Sequence, residues 1–111
     1  MDKKDILKKL YKLMRADESL PLKKGATNLV FGEGNPDTEI LFIGEGPGYW
    51  EDQKGRPFVG NAGALLNQLL QSVELARESV FITNVIHYRP PANRDPLPEE
   101  IEAFQPYLDK I

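Results

Sequence analysis

The segment from 45 to 60 combines acidic and aromatic side chains that suit chemistry at a glycosidic bond. It carries three acids and three aromatic residues: Glu45, Glu51, Asp52, Tyr49, Trp50 and Phe58. A carboxylate beside an apolar wall can orient a water molecule or stabilise a developing cation, which is what cleavage of a glycosidic bond requires. For Glu51 and Asp52 the alternative is that they are surface acids of a loop, because charged side chains are mostly exposed.

Two further side chains could recognise a nucleobase. Phe58 comes just before a predicted helix, where an aromatic ring is either a stacking platform or a plug of the core. Asn84 closes a predicted strand, and its amide has the donors and the acceptor needed to read the Watson–Crick edge of a pyrimidine. An Asn at a strand end also serves simple turn chemistry. His87, the one histidine of the sequence, is interpreted as a loop residue rather than a catalytic base.

Two predicted strands, with a helix between them, must position these side chains. The strands cover 39–43 and 80–85, and the helix covers 61–72. Such a βαβ unit pairs its strands in parallel through a right-handed crossover. Ligands of open α/β sheets bind beyond the carboxyl ends of the strands, so the site is expected at the turn Gly44-Glu45-Gly46-Pro47-Gly48. This turn matches neither a phosphate-binding loop nor the dinucleotide fingerprint.

The central helix is expected to bury one apolar face and to begin with a cap from the Asn61 side chain. The residues of that face are Ala62, Leu65, Leu66, Leu69 and Leu70. The segment between the glycine-rich turn and Gly60 is predicted to be a loop.

The other segments have simpler patterns. Apolar residues at helical spacing predict an amphipathic helix from Asp2 to Met14. A short extended piece is predicted at 28–31. The prolines of 89–98 predict a rigid surface loop, and Pro98 is expected to open a last helix.

Composition limits the functional classes. A length of 111 residues fits a single domain, 1–111, and the absence of cysteine excludes disulfides and thiolate-bound metal. A net charge of −3 argues against nucleic-acid binding driven by overall charge. Arg56, Arg89 and Arg94 follow candidate strands and could still form a local patch that contacts DNA phosphates. No apolar run suits a membrane span or a signal peptide, so a cytoplasmic protein without membrane contact is expected.

Two stretches together resemble the family 4 uracil-DNA glycosylases, which are the iron–sulfur type. They are GEGNPDTEILFIGEGPGYWEDQKGRPFVGNAGALL and, after it, ITNVIHYRPPANRDPLPEEIEAFQPYL. The resemblance implies an α/β fold of three αβα layers with a mainly parallel sheet. It also implies hydrolysis of the N-glycosidic bond of deoxyuridine, the first step of base excision repair. Uracil-containing DNA would be the partner of a monomeric protein.

The resemblance also implies roles for individual residues. Glu45, Gly46 and Pro47 match the first active-site motif, in which Glu45 would line the pocket and assist catalysis. Phe58 would stack on the flipped uracil, and the Asn84 side chain would read its edge. Because stacking accepts the face of any base, the amide and backbone groups would have to distinguish uracil from cytosine.

Two departures from the family pattern change these expectations. The four cysteines that hold an iron–sulfur cluster in the family correspond here to Asp17, Leu20, Tyr88 and Phe104. We therefore expect no cluster and no metal, and a hydrophobic contact in its place.

The second departure is a missing motif. The family's His-Pro motif, which supplies a catalytic histidine, has no counterpart in this sequence, and His87 does not match it. A domain truncated at its C-terminus, with little or no glycosylase activity, is therefore expected for this chain, and an enzyme for its parent protein. The alternatives are a non-catalytic nucleobase- or DNA-binding module and a small α/β domain without any role on nucleic acid.

Overall fold

In residues 2–111, which the computed structural model describes, four helices surround a three-stranded sheet. The helices are α1 (Lys3–Ala16), α2 (Tyr49–Lys54), α3 (Asn61–Ser72) and α4 (Pro98–Lys110). The strands are β1 (Glu33–Gly34), β2 (Leu41–Gly44) and β3 (Phe81–Asn84). Short 3₁₀ turns occur at Lys23–Gly25, Arg77–Ser79 and Pro91–Asn93. Within this range no helix is long and apolar enough to cross a membrane.

The sheet has the order β1-β3-β2 and is mixed. The predicted parallel pair is confirmed, since β2 runs parallel to β3 from Leu41 opposite Phe81 to Gly44 opposite Asn84. The two-residue strand β1 pairs antiparallel with the other edge of β3. The expectation of a mainly parallel sheet is therefore not met by these three strands. A glycine-containing pair of residues carries no alternating pattern from which β1 could be predicted.

Alternate residues of β3 enter two separate clusters of the core. Phe81 packs in a cluster with Met14 of α1 and Phe104 of α4. Ile82 packs in a cluster with Leu66 and Leu70 of α3. Successive side chains of a strand point to opposite faces, so α1 and α4 cover one face of the sheet and α3 covers the other. Burial of each large apolar side chain contributes about 1.5–3 kcal/mol.

The bounds predicted for α3 are confirmed, its buried face was predicted correctly only at Leu66 and Leu70, and its cap was predicted wrongly. The helix buries Gly63, Leu66 and Leu70, whereas Leu65 and Leu69 are 58% and 56% exposed. A helix lying on a narrow sheet buries only one stripe at a spacing of three to four residues, which is less than its sequence offers. The cap residue is Gly60, and no side chain caps the helix.

The segment predicted as a loop before Gly60 contains α2, so that prediction was wrong in part. α2 ends at Gly55, whose φ of 68° suits a glycine at a helix terminus. The helix α1 is confirmed with slightly later bounds and is capped by the Asp2 side chain, which accepts from the Asp5 N–H at 2.9 Å. The proline-rich segment has one 3₁₀ turn and is otherwise irregular, as predicted, and α4 begins at Pro98.

Candidate functional site

The carboxyl ends of β2 and β3 lie side by side. Gly44 is opposite Asn84 in the parallel register, and the pairing continues into the connections beyond the strands. The Val85 N–H donates to the Gly44 carbonyl at 2.8 Å, and the Ile86 N–H donates to the Glu45 carbonyl at 3.2 Å. The glycine-rich turn therefore leaves the sheet next to the segment that follows β3, at the edge where ligands of α/β sheets bind.

Phe58 and Asn84 meet at Gly44. A Cβ atom added to Gly44 would lie 2.4 Å from Phe58 Cζ and 2.5 Å from Asn84 Oδ1, both closer than real Cβ contacts. The aromatic ring and the amide therefore approach the same point of β2, and only glycine fits there. Asn84 is 2% exposed, and Phe58 is half-buried. The structure thus brings together the two side chains that were predicted to recognise a base.

The backbone of Phe58 has a conformation that its side chain disfavours. Its φ is 52°, in the left-handed region that bulky residues rarely adopt. Two residues of the 91–93 turn, Ala92 and Asn93, also have positive φ values, 55° and 56°. Asn93 lies close to the glycine-rich turn, because its side-chain amide is 3.9 Å from the position of a Cβ at Gly48. Strained residues of this kind persist only where the surrounding contacts fix them, and they concentrate at functional sites.

Glu51 joins the two segments that border this edge. Its Oε1 accepts from the Gly48 N–H at 2.9 Å, and its Oε2 accepts from the N–H groups of Val59 and Gly60 at 3.0 and 2.7 Å. Burial by itself raises the pKa of Glu51, but the N–H donors of Gly60, Val59 and Gly48 outweigh it, so the pKa lies below its ordinary value. Glu51 is therefore an ionised acceptor that connects the glycine-rich turn to the Phe58 segment, and neither a surface acid nor a proton donor.

Asp52 also has a structural role that the sequence did not reveal. The side chain is 2% exposed and accepts from the N–H groups of Thr27 and Asn28 at 2.8 and 3.1 Å. The Asn28 side-chain amide donates in return to the Asp52 carbonyl at 2.8 Å. Asp52 therefore joins α2 to the segment at 27–28, and the interpretation of it as a surface acid was wrong.

Glu45 is the third acid of this segment, and its environment differs from those of Glu51 and Asp52. It is exposed, and among residues 2–111 no hydrogen bond or ion pair of its carboxylate is recorded. Gly46 and Pro47 complete the turn: a Cβ at Gly46 would lie 2.7 Å from Ile86 Cγ1, and Pro47 is buried. The turn therefore packs on the segment after β3 while the Glu45 carboxylate faces solvent.

Two of the three arginines predicted to contact phosphates form internal ion pairs. Arg56 donates from Nε and Nη2 to both carboxylate oxygens of Glu33, each at 2.9 Å. Arg94 donates to both carboxylate oxygens of Glu100 at 2.8 and 2.7 Å. A phosphate would have to compete with these bidentate carboxylate partners.

Arg89 has a different environment. Its guanidinium carbon lies 5.4 Å from the centre of the Tyr49 ring, a cation–π distance, and its Nε donates to Asn93 Oδ1 at 2.7 Å. Tyr49 is the first residue of α2, directly after the glycine-rich turn. Within residues 2–111, therefore, Arg89 differs from Arg56 and Arg94 in having no carboxylate partner, and it lies beside the turn.

His87 lies in the irregular segment after β3, as predicted, but its side chain is in the core. It is completely buried, and burial lowers its pKa to about 4. The Thr83 hydroxyl donates to the Phe31 carbonyl at 2.7 Å, so the His87 Nε2–H donates to that hydroxyl oxygen at 3.2 Å. The Nδ1 atom is then a buried acceptor without a partner. A neutral and inaccessible imidazole of this kind does not act as a catalytic acid or base on DNA.

The four positions that correspond to cluster ligands do not fit an iron–sulfur cluster. Leu20, Tyr88 and Phe104 belong to one apolar cluster, with the Tyr88 and Phe104 ring centres 6.1 Å apart. The Asp17 Oδ2 accepts from the Tyr107 hydroxyl at 2.6 Å. Cluster iron requires thiolates, and the chain has no cysteine. Among residues 2–111, moreover, no three His, Cys, Asp or Glu side chains are grouped to hold a metal ion.

Comparison with known proteins gives a consistent family. A family model described as the uracil DNA glycosylase superfamily matches residues 31–111. The chain is 51% identical to the type-4 uracil-DNA glycosylase of Archaeoglobus fulgidus over 94% of this chain and 50% of that protein. It is 56% identical to the type-4 uracil-DNA glycosylase of Thermotoga maritima over 79% of this chain and 46% of that protein. The chain thus spans about half the length of the curated relatives it matches.

Proposed function

The chain belongs to the uracil DNA glycosylase superfamily, and on that premise we propose that it recognises uracil in DNA at the carboxyl edge of β2 and β3. For the protein as a whole we propose hydrolysis of the N-glycosidic bond of deoxyuridine, as in base excision repair. The observation that carries the proposal is the approach of Phe58 and Asn84 to one point at Gly44. In the same proposal, the helices on both faces of the sheet belong to a three-layer αβα architecture whose sheet is mainly parallel.

Base recognition would divide between the two side chains. The Phe58 ring would stack on the face of a flipped base, which any base allows. The Asn84 amide would donate to the uracil O4 and accept from N3–H, whereas cytosine presents a donor and an acceptor in the reverse order. Because Asn84 is 2% exposed, groups around its amide must move as the base enters.

Glu45 would supply the chemistry at the sugar. As the bond between C1′ and N1 lengthens, positive charge develops on the sugar, and a nearby carboxylate stabilises it and orients a water molecule. The water oxygen then bonds to C1′, and uracil departs with the electron pair of the broken bond and takes up a proton. Gly46 and Pro47 would line the pocket beside the base, and the exposed Glu45 carboxylate has the freedom to face the sugar.

DNA phosphates would be contacted chiefly by Arg89. Its guanidinium lies over Tyr49 beside the glycine-rich turn, and no carboxylate of the described part of the chain is paired with it. Arg56 and Arg94 would contribute less, because each is bound by a carboxylate through two hydrogen bonds. Because few phosphates would be contacted, the affinity for uracil-containing DNA would decrease only weakly as the salt concentration rises.

Two measurements on one oligonucleotide test the proposal. Binding of single-stranded DNA with one deoxyuridine is compared with binding of the same strand with deoxycytidine, and release of free uracil is followed in parallel. We expect a preference for the deoxyuridine strand that is lost in Asn84→Ala and Phe58→Ala. The Glu45→Gln variant should retain the preference and lose any release. Equal binding of both strands by the unmodified chain would contradict the proposal.

A second candidate function is a module that binds the base without cleaving it. The observation in its favour is that the one histidine, His87, is buried and has a pKa of about 4, so it cannot protonate or polarise a bound base. The parallel assay separates the candidates: preference for the deoxyuridine strand without release favours the binding module. Release that disappears in Glu45→Gln favours the hydrolase.

A further inference from the structure

We infer that Arg77 is a positioning residue for base recognition, because its guanidinium fixes the backbone that carries the Phe58 ring. The inference rests on the proposed function, in which Phe58 is the stacking platform. Arg77 begins the 3₁₀ turn that precedes β3, and no motif in the sequence marks it.

The contacts of Arg77 concentrate on two successive carbonyls. Its Nη1 donates to the Phe58 carbonyl at 3.0 Å, and its Nη2 donates to the Pro57 carbonyl. Nη1 also donates to Asn67 Oδ1 of α3 at 3.0 Å. The Glu33 carboxylate lies 3.6 Å from Nη2, and the side chain is only 15% exposed. A planar guanidinium can bind both carbonyls at once, whereas the single nitrogen of lysine cannot reproduce that fork.

Phe58, whose carbonyl accepts from Arg77, has a strained backbone conformation. Phe58 has a φ of 52°, so a neighbouring group must fix its conformation. Its carbonyl also lies against α3, where a Cβ at Gly63 would come within 1.9 Å of the Phe58 oxygen. Arg77 and Gly63 together therefore fix the direction of the Phe58 carbonyl, and the position of the ring at Gly44 follows from it.

Arg77 is better suited to positioning than to recognition. Its Nε is buried without a hydrogen-bond partner, and its outer nitrogens are occupied by the Phe58 segment and α3. No part of the guanidinium is left to contact a phosphate or a base. Its effect on DNA binding must consequently pass through Phe58.

The first test observes the position of the ring without any ligand. In the full chain, a through-space NMR contact between Phe58 Hζ and the Gly44 Hα protons reports their approach. We expect the contact in the unmodified chain and in Asn67→Ala, which removes only the bond from Arg77 to α3. We expect its loss in Arg77→Ala and in Gly63→Ala, and its weakening in Arg77→Lys. A contact retained in Arg77→Ala, or in Arg77→Lys at full strength if the alanine variant does not fold, would overturn the inference.

The second test asks whether Arg77 acts through Phe58. The probe is a single strand with one 2′-fluoro-2′-deoxyuridine, whose fluorine disfavours the sugar cation and slows hydrolysis. We expect Arg77→Ala to reduce the preference for this strand over the same strand with 2′-fluoro-2′-deoxycytidine by about tenfold, the loss of roughly one strong hydrogen bond. In a Phe58→Ala background the same substitution should have no further effect. An undiminished effect of Arg77→Ala in that background would show a general structural role and overturn the inference.

The two tests separate this inference from the proposed function. If the unmodified chain shows no preference for the uracil strand, the proposed function fails, while the NMR contact still decides whether Arg77 positions the ring. If the preference is present and Arg77→Ala leaves it unchanged, the proposed function stands and the inference fails.

Discussion

Two regions of the molecule hold their segments together by different means. At the candidate site, Glu51 accepts three backbone N–H groups and Arg77 donates to two backbone carbonyls. Between α1 and α4, the contact consists of apolar packing around Phe104 with one long-range hydrogen bond from Tyr107 to Asp17. Hydrogen bonds fix direction, whereas apolar burial is non-directional. The site therefore specifies geometry, and the α1–α4 contact mainly specifies stability.

This difference explains how the segments of the α1–α4 contact can be held together without cysteine thiolates. A cluster would join 17, 20, 88 and 104 through four bonds, but the same segments are joined here by buried Leu20, Tyr88 and Phe104. Non-directional contacts tolerate exchange of one apolar group for another of similar volume. The directional contacts of Glu51 and Arg77 have no such substitutes. Substitutions in the two regions should accordingly affect different measurements.

The largest effect is expected from Phe104→Ala. Phe104 is completely buried in the cluster of α1 and α4, so its truncation should lower the free energy of unfolding by about 3–5 kcal/mol. Urea denaturation measures the loss, and Leu65→Ala, at an exposed position of α3, is the matched control. The position of the Phe58 ring at Gly44 should be unchanged wherever Phe104→Ala remains folded. A ring displaced in the folded variant would show that the two regions are not independent.

The pH dependence of His87 gives the next largest effect, again on stability alone. Burial lowers its folded pKa from 6.5 to about 4, so the unfolded chain binds more protons between these values. Above pH 6.5 His87 is neutral in both states. As the pH falls from 6.5 to about 4, its protonation in the unfolded chain should lower the free energy of unfolding by up to about 3 kcal/mol. His87→Gln should flatten this part of the profile of unfolding free energy against pH. An equally steep decline in His87→Gln would assign the dependence to other groups.

Glu51→Gln should disrupt the geometry of the site while the chain remains folded. The amide of Gln places a donor against N–H groups at Gly48 or at the pair Val59 and Gly60, which costs about 1–3 kcal/mol of stability. Because the folded pKa of Glu51 is lowered, its contribution is present above the unfolded pKa and is lost as the pH falls through the folded value. The variant should lose preference for the uracil strand at neutral pH while it remains folded. Asp52→Asn, which affects the neighbouring contact with Thr27, is the control and should keep that preference.

The sequence predicted the parts of this molecule that depend on local pattern. Periodicity gave α1 and α3, prolines gave the start of α4, and the two apolar strands gave the parallel pair. The proximity of Gly44 and Asn84 could also be anticipated, because parallel strands end at one edge of the sheet, whereas the approach of Phe58 was implied only by the resemblance to the glycosylases. The number of buried residues on α3 was overestimated, because the sequence of a helix does not indicate how many strands lie beneath it.

The contacts of charged side chains could not be read from the sequence in the same way. Asp52 and Arg77 bind backbone groups that are 25 and 19 residues away in the chain, and Glu51 binds the Val59 N–H, eight residues away. Almost any residue can supply a backbone N–H or carbonyl group, so the partner in such a contact cannot be identified from the residue types in the sequence. The burial of His87 was not predicted for a related reason, since it follows from packing against Phe104 rather than from its neighbours in sequence.

The smallest effect is expected from Tyr107→Phe, which removes the one long-range hydrogen bond of the α1–α4 contact and leaves the ring in place. Loss of its hydroxyl donation to Asp17 should cost about 1 kcal/mol, because the apolar packing of that region remains. Burial first, and the hydrogen bond to Asp17 second, raise the pKa of Tyr107 to about 12.

The stability that the protonated Tyr107 contributes is therefore fully present below pH 10 and should be lost as the pH rises toward 12, because the unfolded chain ionises first, and urea denaturation across that range measures the loss. Tyr107→Phe should reduce this alkaline decline, to which Tyr88 also contributes because burial raises its pKa, while Tyr49→Phe, at an exposed position, should leave the decline unchanged. A loss in Tyr107→Phe as large as that in Phe104→Ala would show that the α1–α4 contact is directional after all. The contrast with the site would then no longer explain how this region is held together without thiolates.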